Sequence, residues 1–223
     1  STKDDKRLYR LVGYILQTLD LRQIGWVGDS FIATSPHVYA DADLAGCADT
    51  QRSTTGVHVA MEGPRTSFPI TAIGKRQSCI SESTPLAEMV AGHTAFNKFV
   101  IPQLDLWEII LDPAIRCTFH EDNETMIRVI FTGRNPTMRS LGRVHRVSIA
   151  ALHERMGNPA SKDRVDVVKT ASADMAADIY TKAFDNAEKF DAVRRNVNIM
   201  KTEDLTDVYA ERIWRGENPT EIT

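Results

Sequence analysis

Tyr39-Ala40-Asp41-Ala42-Asp43-Leu44-Ala45-Gly46 decides how the rest of this 223-residue chain is read. His37, Val38 and Tyr39 can form a short strand that delivers two carboxylates one residue apart, and the small residues after them leave room for other groups at the strand end. Period-two geometry predicts Asp41 and Asp43 on the same side of that strand. Two like charges so close raise each other's pKa unless something positive stands beside them. A divalent metal is one such partner. Water at an exposed strand end is another, and the D-x-D spacing alone favours the solvated turn, so the choice rests on the rest of the chain.

Downstream, Thr55 to Met61 and Ser67 to Ile73 read as two more strands. The linker Ala48 to Thr54 precedes them and the turn Glu62-Gly63-Pro64-Arg65 joins them. Connections this short predict an antiparallel meander. After Gly74 the pattern turns helical: Ser81 to Pro85 supply a cap and an early proline, Leu86, Met89, Val90 and His93 share a face, and Glu88 is expected in the first turn. Pro102 should kink or stop this helix before the spacing resumes from Leu104 to Leu111. A fourth strand, Ile115 to His120, leads into Glu121-Asp122-Asn123 and a helix from Glu124 to Phe131. A longer helix is expected from Met138 to Met156, presenting Arg139, Arg143 and Arg146 as one basic stripe. The fifth strand, Arg164 to Lys169, is followed by a helix that opens at Ser172 and carries Asp178.

Upstream, Asp4 to Leu19 has the three-and-four apolar spacing of an amphipathic helix, and Gln23 to Asp29 reads as a short edge segment. Beyond Phe184, charged helices are expected at Ala187–Val197 and Thr202–Trp214. With 42% hydrophobic and 26% charged residues, the composition is that of an ordinary globular domain with attachments. No apolar run approaches a membrane span, and the first residues are charged where a signal peptide would be apolar, so neither membrane nor secretion is expected. Cys47, Cys79 and Cys117 are far apart and odd in number, which predicts reduced intracellular thiols. The net charge of -3 confines any nucleic-acid surface to a local patch.

These elements predict an α/β fold, a five-stranded mixed sheet whose first three strands are antiparallel, flanked by helices on both faces. If the first and fourth strands are parallel neighbours, the ends bearing Asp41 and Asp122 lie side by side, and Glu88 and Asp178 reach the same rim. So many hard oxygen ligands suit magnesium or manganese. Two such ions, roughly 4 Å apart, support phosphodiester hydrolysis. Competing chemistries lack their residues: His153-Glu154 has no second His at zinc spacing, His120 stands alone, and no phosphate-cradling glycine loop exists.

Tyr39 to Gly46, Arg52-Ser53-Thr54-Thr55-Gly56, Lys75-Arg76-Gln77, Ser81 to Ala91, Asp122-Asn123, Asn135-Pro136 and Ala177-Asp178-Ile179-Tyr180-Thr181-Lys182 together resemble the ribonuclease H domain of copia-type retrotransposon polyproteins. The resemblance implies three parts: residues 1–36 like the end of a reverse transcriptase domain, a ribonuclease H-like domain over 37–184, and a helical extension over 185–223. It places Asp41, Glu88, Asp122 and Asp178 on the family's catalytic metal-binding acids, with Asp41 bridging two Mg2+ ions that Mn2+ could replace. Asp43 falls on a position that is not a core ligand. The implied activity is hydrolysis of the RNA strand of RNA/DNA hybrids, beside a reverse transcriptase domain of the same polyprotein. The implied setting is a cytoplasmic virus-like particle or the nucleus. Arg52, Ser53, Thr54, Lys75, Arg76, Gln77, Asn123, Arg139, Arg143 and Arg146 are the candidate nucleic-acid contacts, each with ordinary surface charge or capping as the plainer reading. The chain departs from the pattern at Leu44 (usually Trp), at Glu121 (usually Cys), at Thr84-Pro85-Leu86 and at His145-Arg146-Val147-Ser148. These departures and the net acidity motivate a second reading, a catalytically degenerate scaffold or interaction domain. A third is another nuclease or strand transferase on the same fold.

Overall fold

The computed structural model describes residues 2–135, 138 and 141–207. Helix α1 (Thr2–Gln17) and the short strand β1 (Leu21–Gln23) lead into three long strands: β2 (Ser35–Ala42), β3 (Thr54–Gly63) and β4 (Thr66–Arg76). Their short connections force the antiparallel meander read from the sequence. The chain then crosses over through α2 (Thr84–Ala95), a π turn (Phe96–Val100) and α3 (Ile101–Ile110) to β5 (Cys117–Glu121), which lies parallel to β2. A second crossover, through α4 (Glu124–Thr132), α5 (Ile149–Leu152) and irregular turns, reaches β6 (Val165–Lys169), parallel to β5. The resulting order, β4-β3-β2-β5-β6, makes the five-stranded mixed sheet of an α/β fold expected from the sequence. Among the described residues no helix is long and apolar enough to cross a membrane.

Alternation along the strands sorts the two faces. Val38, Ala40, Val57, Val59, Cys117 and Phe119 join Leu86, Met89, Phe96, Met126 and Ile130 in the main core beneath α2, α3 and α4. Tyr39 instead packs on Met175, Ala176, Ala177 and Val197 in a smaller core on the other face. That face is covered by two 3₁₀ turns, Ser172–Asp174 and Ala176–Tyr180, backed by α6 (Ala187–Asn196). The strand β7 (Ile199–Lys201) pairs with β1, and Asn198 donates its amide to Ser67 on β4, so β1 and β7 are tied to the sheet edge.

Three helical expectations are corrected. Of the kink or stop expected at Pro102, the stop does not occur: a π turn lets the Ile101 N–H reach back to the Phe96 carbonyl, so helical backbone runs, with that interruption, from Thr84 to Ile110. The single helix from Met138 to Met156 is a π turn (Leu141–His145), a break at Arg146 with φ 56°, and α5 ending in a second π turn (His153–Gly157). The apolar spacing there was real, since Met138, Leu141, Val147, Leu152 and Met156 are all buried, but core packing overrode regular helix geometry. The helix opening at Ser172 is the pair of 3₁₀ turns, because Met175, Ala176, Ala177 and Asp178 are buried consecutively and no single face of an α-helix offers that. Of the helix from Thr202 to Trp214, the residues beyond 207 lie outside the described residues.

Candidate metal centre

The parallel pairing of β2 with β5 brings the two strand ends into one place: Val38 sits beside Phe119 and Tyr39 beside His120. Alternation then divides the acids. Asp41 follows Tyr39 toward the smaller core, whereas Glu121 follows Phe119 toward the main core and α2. Asp122, just past the end of β5, stands between.

On one side Asp41, Asp122 and Asp178 each offer a carboxylate oxygen within 4.8 Å of the others. Asp178 arrives on the 3₁₀ turn Ala176–Tyr180, which lies tight against β3 at Gly56, the residue paired with Asp41. A Cβ on Gly56 would stand 2.7 Å from Thr181 Cγ2 and 2.8 Å from the Ala177 carbonyl, so glycine is what lets the turn approach. The Thr181 hydroxyl donates to Asp41 Oδ2, and Ser172 Oγ donates to Asp122 Oδ2 at 2.7 Å. Lys182 Nζ lies 2.7 Å from Asp178 Oδ2 and 3.6 Å from Asp41 Oδ1. Burial raises the Asp178 carboxyl to about 6 against the pull of Lys182, and burial also raises Asp41 despite Thr181 and Lys182. For Lys182, burial works against the charge, but the ion pairs with Asp178 and Asp41 outweigh it and its pKa rises.

On the other side Glu88, Glu121 and Asp122 form a second group within the same 4.8 Å limit. Glu88 is the fifth residue of α2, just past the first turn in which the sequence placed it. Burial, reinforced by Glu121, pushes Glu88 up to about 10; burial likewise carries Glu121 well above the usual carboxylate range. Asp41, Glu88, Glu121 and Asp178 are 2%, 3%, 0% and 5% exposed, which makes this a buried charge problem and not a surface acidic patch. Glu88 Oε2, Glu121 Oε2 and Asp178 Oδ1 are buried without a hydrogen-bond partner. Oxygen-only ligands, orphaned buried oxygens and two groups sharing one carboxylate fit hard divalent cations such as Mg2+ or Mn2+.

All four acids named from the sequence therefore meet at one rim. Asp43 does not join them: past the strand end its carboxylate accepts from the Thr54 N–H. Glu121, Thr181, Ser172 and Lys182 had not been singled out for the site. The alternation Cys117, Phe119, Glu121 already implied that Glu121 points inward with Phe119. The candidate nucleic-acid contacts divide. Arg52, Lys75, Arg76, Arg143 and Arg146 are exposed. Ser53 is buried with its hydroxyl accepting from the Ala45 N–H at 3.2 Å. The Thr54 backbone is engaged by Asp43. Gln77 is buried, donating to Thr55 Oγ1 and the Ala87 carbonyl and accepting from Ser81. Asn123 caps α4 through Thr125 and Met126. The basic stripe as one helical face is overturned by the break at Arg146, and Arg139 lies outside the described residues.

No family model matches the chain, and no curated protein matches it in sequence. Among solved structures, the N-terminal ribonuclease H domain of rv2228c from Mycobacterium tuberculosis, solved as a fusion with maltose-binding protein, is similar over 73% of this chain and 97% of that chain at 13% identity and a TM-score of 0.41. The NurA nuclease of Sulfolobus solfataricus is similar over 96% of this chain and 55% of that chain, at 6% identity and a TM-score of 0.29.

Proposed function

We propose that the protein is a divalent-metal-dependent nuclease that hydrolyses the RNA strand of RNA/DNA hybrids. The observation that carries this reading is the convergence of Asp41, Glu88, Glu121, Asp122 and Asp178 into two carboxylate groups sharing Asp122. Asp41, Asp122 and Asp178 would hold one ion, and Glu88, Glu121 and Asp122 a second. Bound there, such ions supply an activated water and neutralise charge building on the phosphate oxygens. The chain's own residues set the stage for that chemistry. Thr181 and Ser172 fix the rotamers of Asp41 and Asp122. Lys182 keeps a positive charge beside the reacting phosphate and remains 39% exposed, within reach of substrate. Burial of the acids strengthens every electrostatic contact made there. Preference for RNA would come from contacts to 2'-hydroxyls. The retrotransposon setting and the reverse transcriptase partner rest on the order of the motifs from Tyr39 to Lys182.

A labelled RNA/DNA hybrid offered with magnesium, beside duplex DNA and single-stranded RNA, tests the assignment. Cleavage confined to the RNA of the hybrid is expected. Asp122→Asn, which removes the shared carboxylate, should lower the rate at least about a hundredfold, the scale on which even indirect metal partners act. Equal cutting by Asp122→Asn would refute the metal-site reading. The observation favouring a non-catalytic scaffold is Lys182, whose ammonium already occupies the space between Asp41 and Asp178 and offsets part of their charge. Hybrid binding with neither magnesium uptake nor turnover would select that reading.

A further inference from the structure

Lys182 has a second neighbourhood. Its outer side lines a cleft of about 570 Å3 between α1 and the segment from Phe184 to Phe190, with Arg7, Arg10 and Tyr14 on the α1 wall. The cleft is aromatic and basic at once. Tyr14 meets Phe190 edge-on at 5.8 Å between ring centres, and Phe184 lies 5.7 Å from Phe190. Arg7 and Arg10 are exposed, and the Arg7–Asp4 contact at 3.6 Å is a surface pair that leaves the guanidinium available. Asp185 is the one acid among the lining residues, against Arg7, Arg10 and Lys182. The volume suits a nucleotide-sized group.

We propose that this cleft takes a single nucleic-acid strand as it leaves the carboxylate centre, with phosphates on Arg7 and Arg10 and an unpaired base against Tyr14 and Phe190. The proposal rests on the nuclease reading and extends it to the path of the substrate. Two features argue for a single strand over duplex. Aromatic faces can stack only on bases that are not already stacked in a helix. Arginines beside those rings supply the sequence-independent backbone attraction that single-strand grooves use. Continuity with the carboxylate centre comes from Lys182, which belongs to both. The apolar positions of α1 then have a partial purpose: the helix brings Arg7, Arg10 and Tyr14 to one wall.

The test compares two fluorescent RNA/DNA hybrids of equal duplex length, one blunt and one with a single-stranded overhang, by polarisation with the full chain in chelator so that nothing is cut. Wild type should bind the overhang about tenfold more tightly than the blunt hybrid, the size of one stacked base. In Arg7→Gln/Arg10→Gln that ratio should fall toward one. The salt slope for the overhang hybrid should flatten by roughly 1.4, about 0.7 for each lost phosphate contact. Tyr14→Ala should lower the ratio while leaving the salt slope in place, a split that general loss of folding would not produce. A wild-type ratio near one, or a ratio the variants leave intact, overturns the cleft. In that case cleavage sensitive to Asp122→Asn would leave the nuclease assignment standing. Wild type binding neither hybrid in chelator overturns the cleft, and the nuclease assignment falls with it only if the hybrid also stays uncut in magnesium.

Discussion

The two carboxylate groups that share Asp122 solve the same electrostatic problem in opposite ways. Asp41 and Asp178 are held by a cation and a hydroxyl, Lys182 and Thr181. Glu88 and Glu121, on the other side of the strand ends, have no cation at hydrogen-bonding distance among the described residues and hold their protons instead, Glu88 up to about 10. The difference follows from what covers each face. The Asp178 side is closed by a turn that carries its own lysine four residues on. The Glu88 side is closed by α2 and the apolar core, where a lysine would have no route to water. One group would therefore admit an ion by displacing an ammonium, the other by releasing protons.

The largest expected effect comes from breaking the first group without touching an acid. Gly56→Ala puts a methyl against Thr181 and the Ala177 carbonyl, and backbone cannot swing aside as a flexible side chain can. The turn bearing Asp178 must retreat, while Glu88, Glu121 and Asp122 keep their places. Overpacking of this kind costs about 1–3 kcal/mol, and a shift near 1 Å at a reacting centre costs on the order of a hundredfold in rate. Cleavage kinetics of a folded Gly56→Ala protein check this, and a rate within a few fold of wild type would mean that Asp178 is not placed by the close approach at Gly56.

Lys182→Ala comes next. Removing the ammonium leaves Asp41 and Asp178 facing each other, a loss of several kcal/mol for a fully buried pair and about 2 kcal/mol here, since Lys182 is 39% exposed. In chelator the melting midpoint should fall by roughly 4–8 °C. Magnesium should narrow the gap by supplying the missing positive charge. An equal gap with and without magnesium would show that Lys182 acts elsewhere.

Proton linkage separates the groups more finely. Asp41, Glu88, Glu121 and Asp178 all titrate higher in the folded protein than in the unfolded chain. At these four groups the native state thus keeps protons that the unfolded chain has lost, and their contribution to stability falls as pH rises. The fall begins near the ordinary carboxylate range, passes about 6 for Asp178 and continues toward about 10 for Glu88. In chelator the midpoint should be higher at pH 7 than at pH 9, a window above the range in which His37, His93, His120 and His145, whose pKa burial lowers, make stability rise with pH. Magnesium should flatten that slope and release protons on binding, measured by calorimetry in buffers of different ionisation heat. A midpoint that climbs from pH 7 to pH 9 in chelator would contradict the protonated state of Glu88 and Glu121.

Much of this centre was legible in the sequence because its parts are local. The D-x-D stretch ends a strand, Asp178 sits in a compact motif with Thr181 and Lys182, and the short turns dictated the meander that sets β2 beside β3. The rest depended on packing that no single segment encodes. Residues Met138 to Met156 have helical apolar spacing, yet Arg146 adopts a left-handed backbone so that Leu141 and Val147 can both enter the core. Lys182 could be placed between two acids only after the turn was seen to press on Gly56. Glu121 differs: strand alternation with Cys117 and Phe119 already points it inward, so its place beside Asp122 is encoded locally.

The smallest effect is the one that sharpens the second group. Glu121→Gln keeps the shape and the oxygen that accepts the Asn123 N–H at 3.0 Å, and at pH 6 it replaces a carboxyl that is already neutral. The stability in chelator at pH 6 should therefore change by no more than about a few tenths of a kcal/mol. At pH 9 the variant should be the more stable protein, because the wild type is under growing pressure to ionise an acid that is fully buried beside Glu88. Magnesium affinity should drop about tenfold, since an amide oxygen carries no charge to the ion. Were affinity unchanged, Glu88 and Asp122 would be the working pair and Glu121 a buried acid tolerated for its packing.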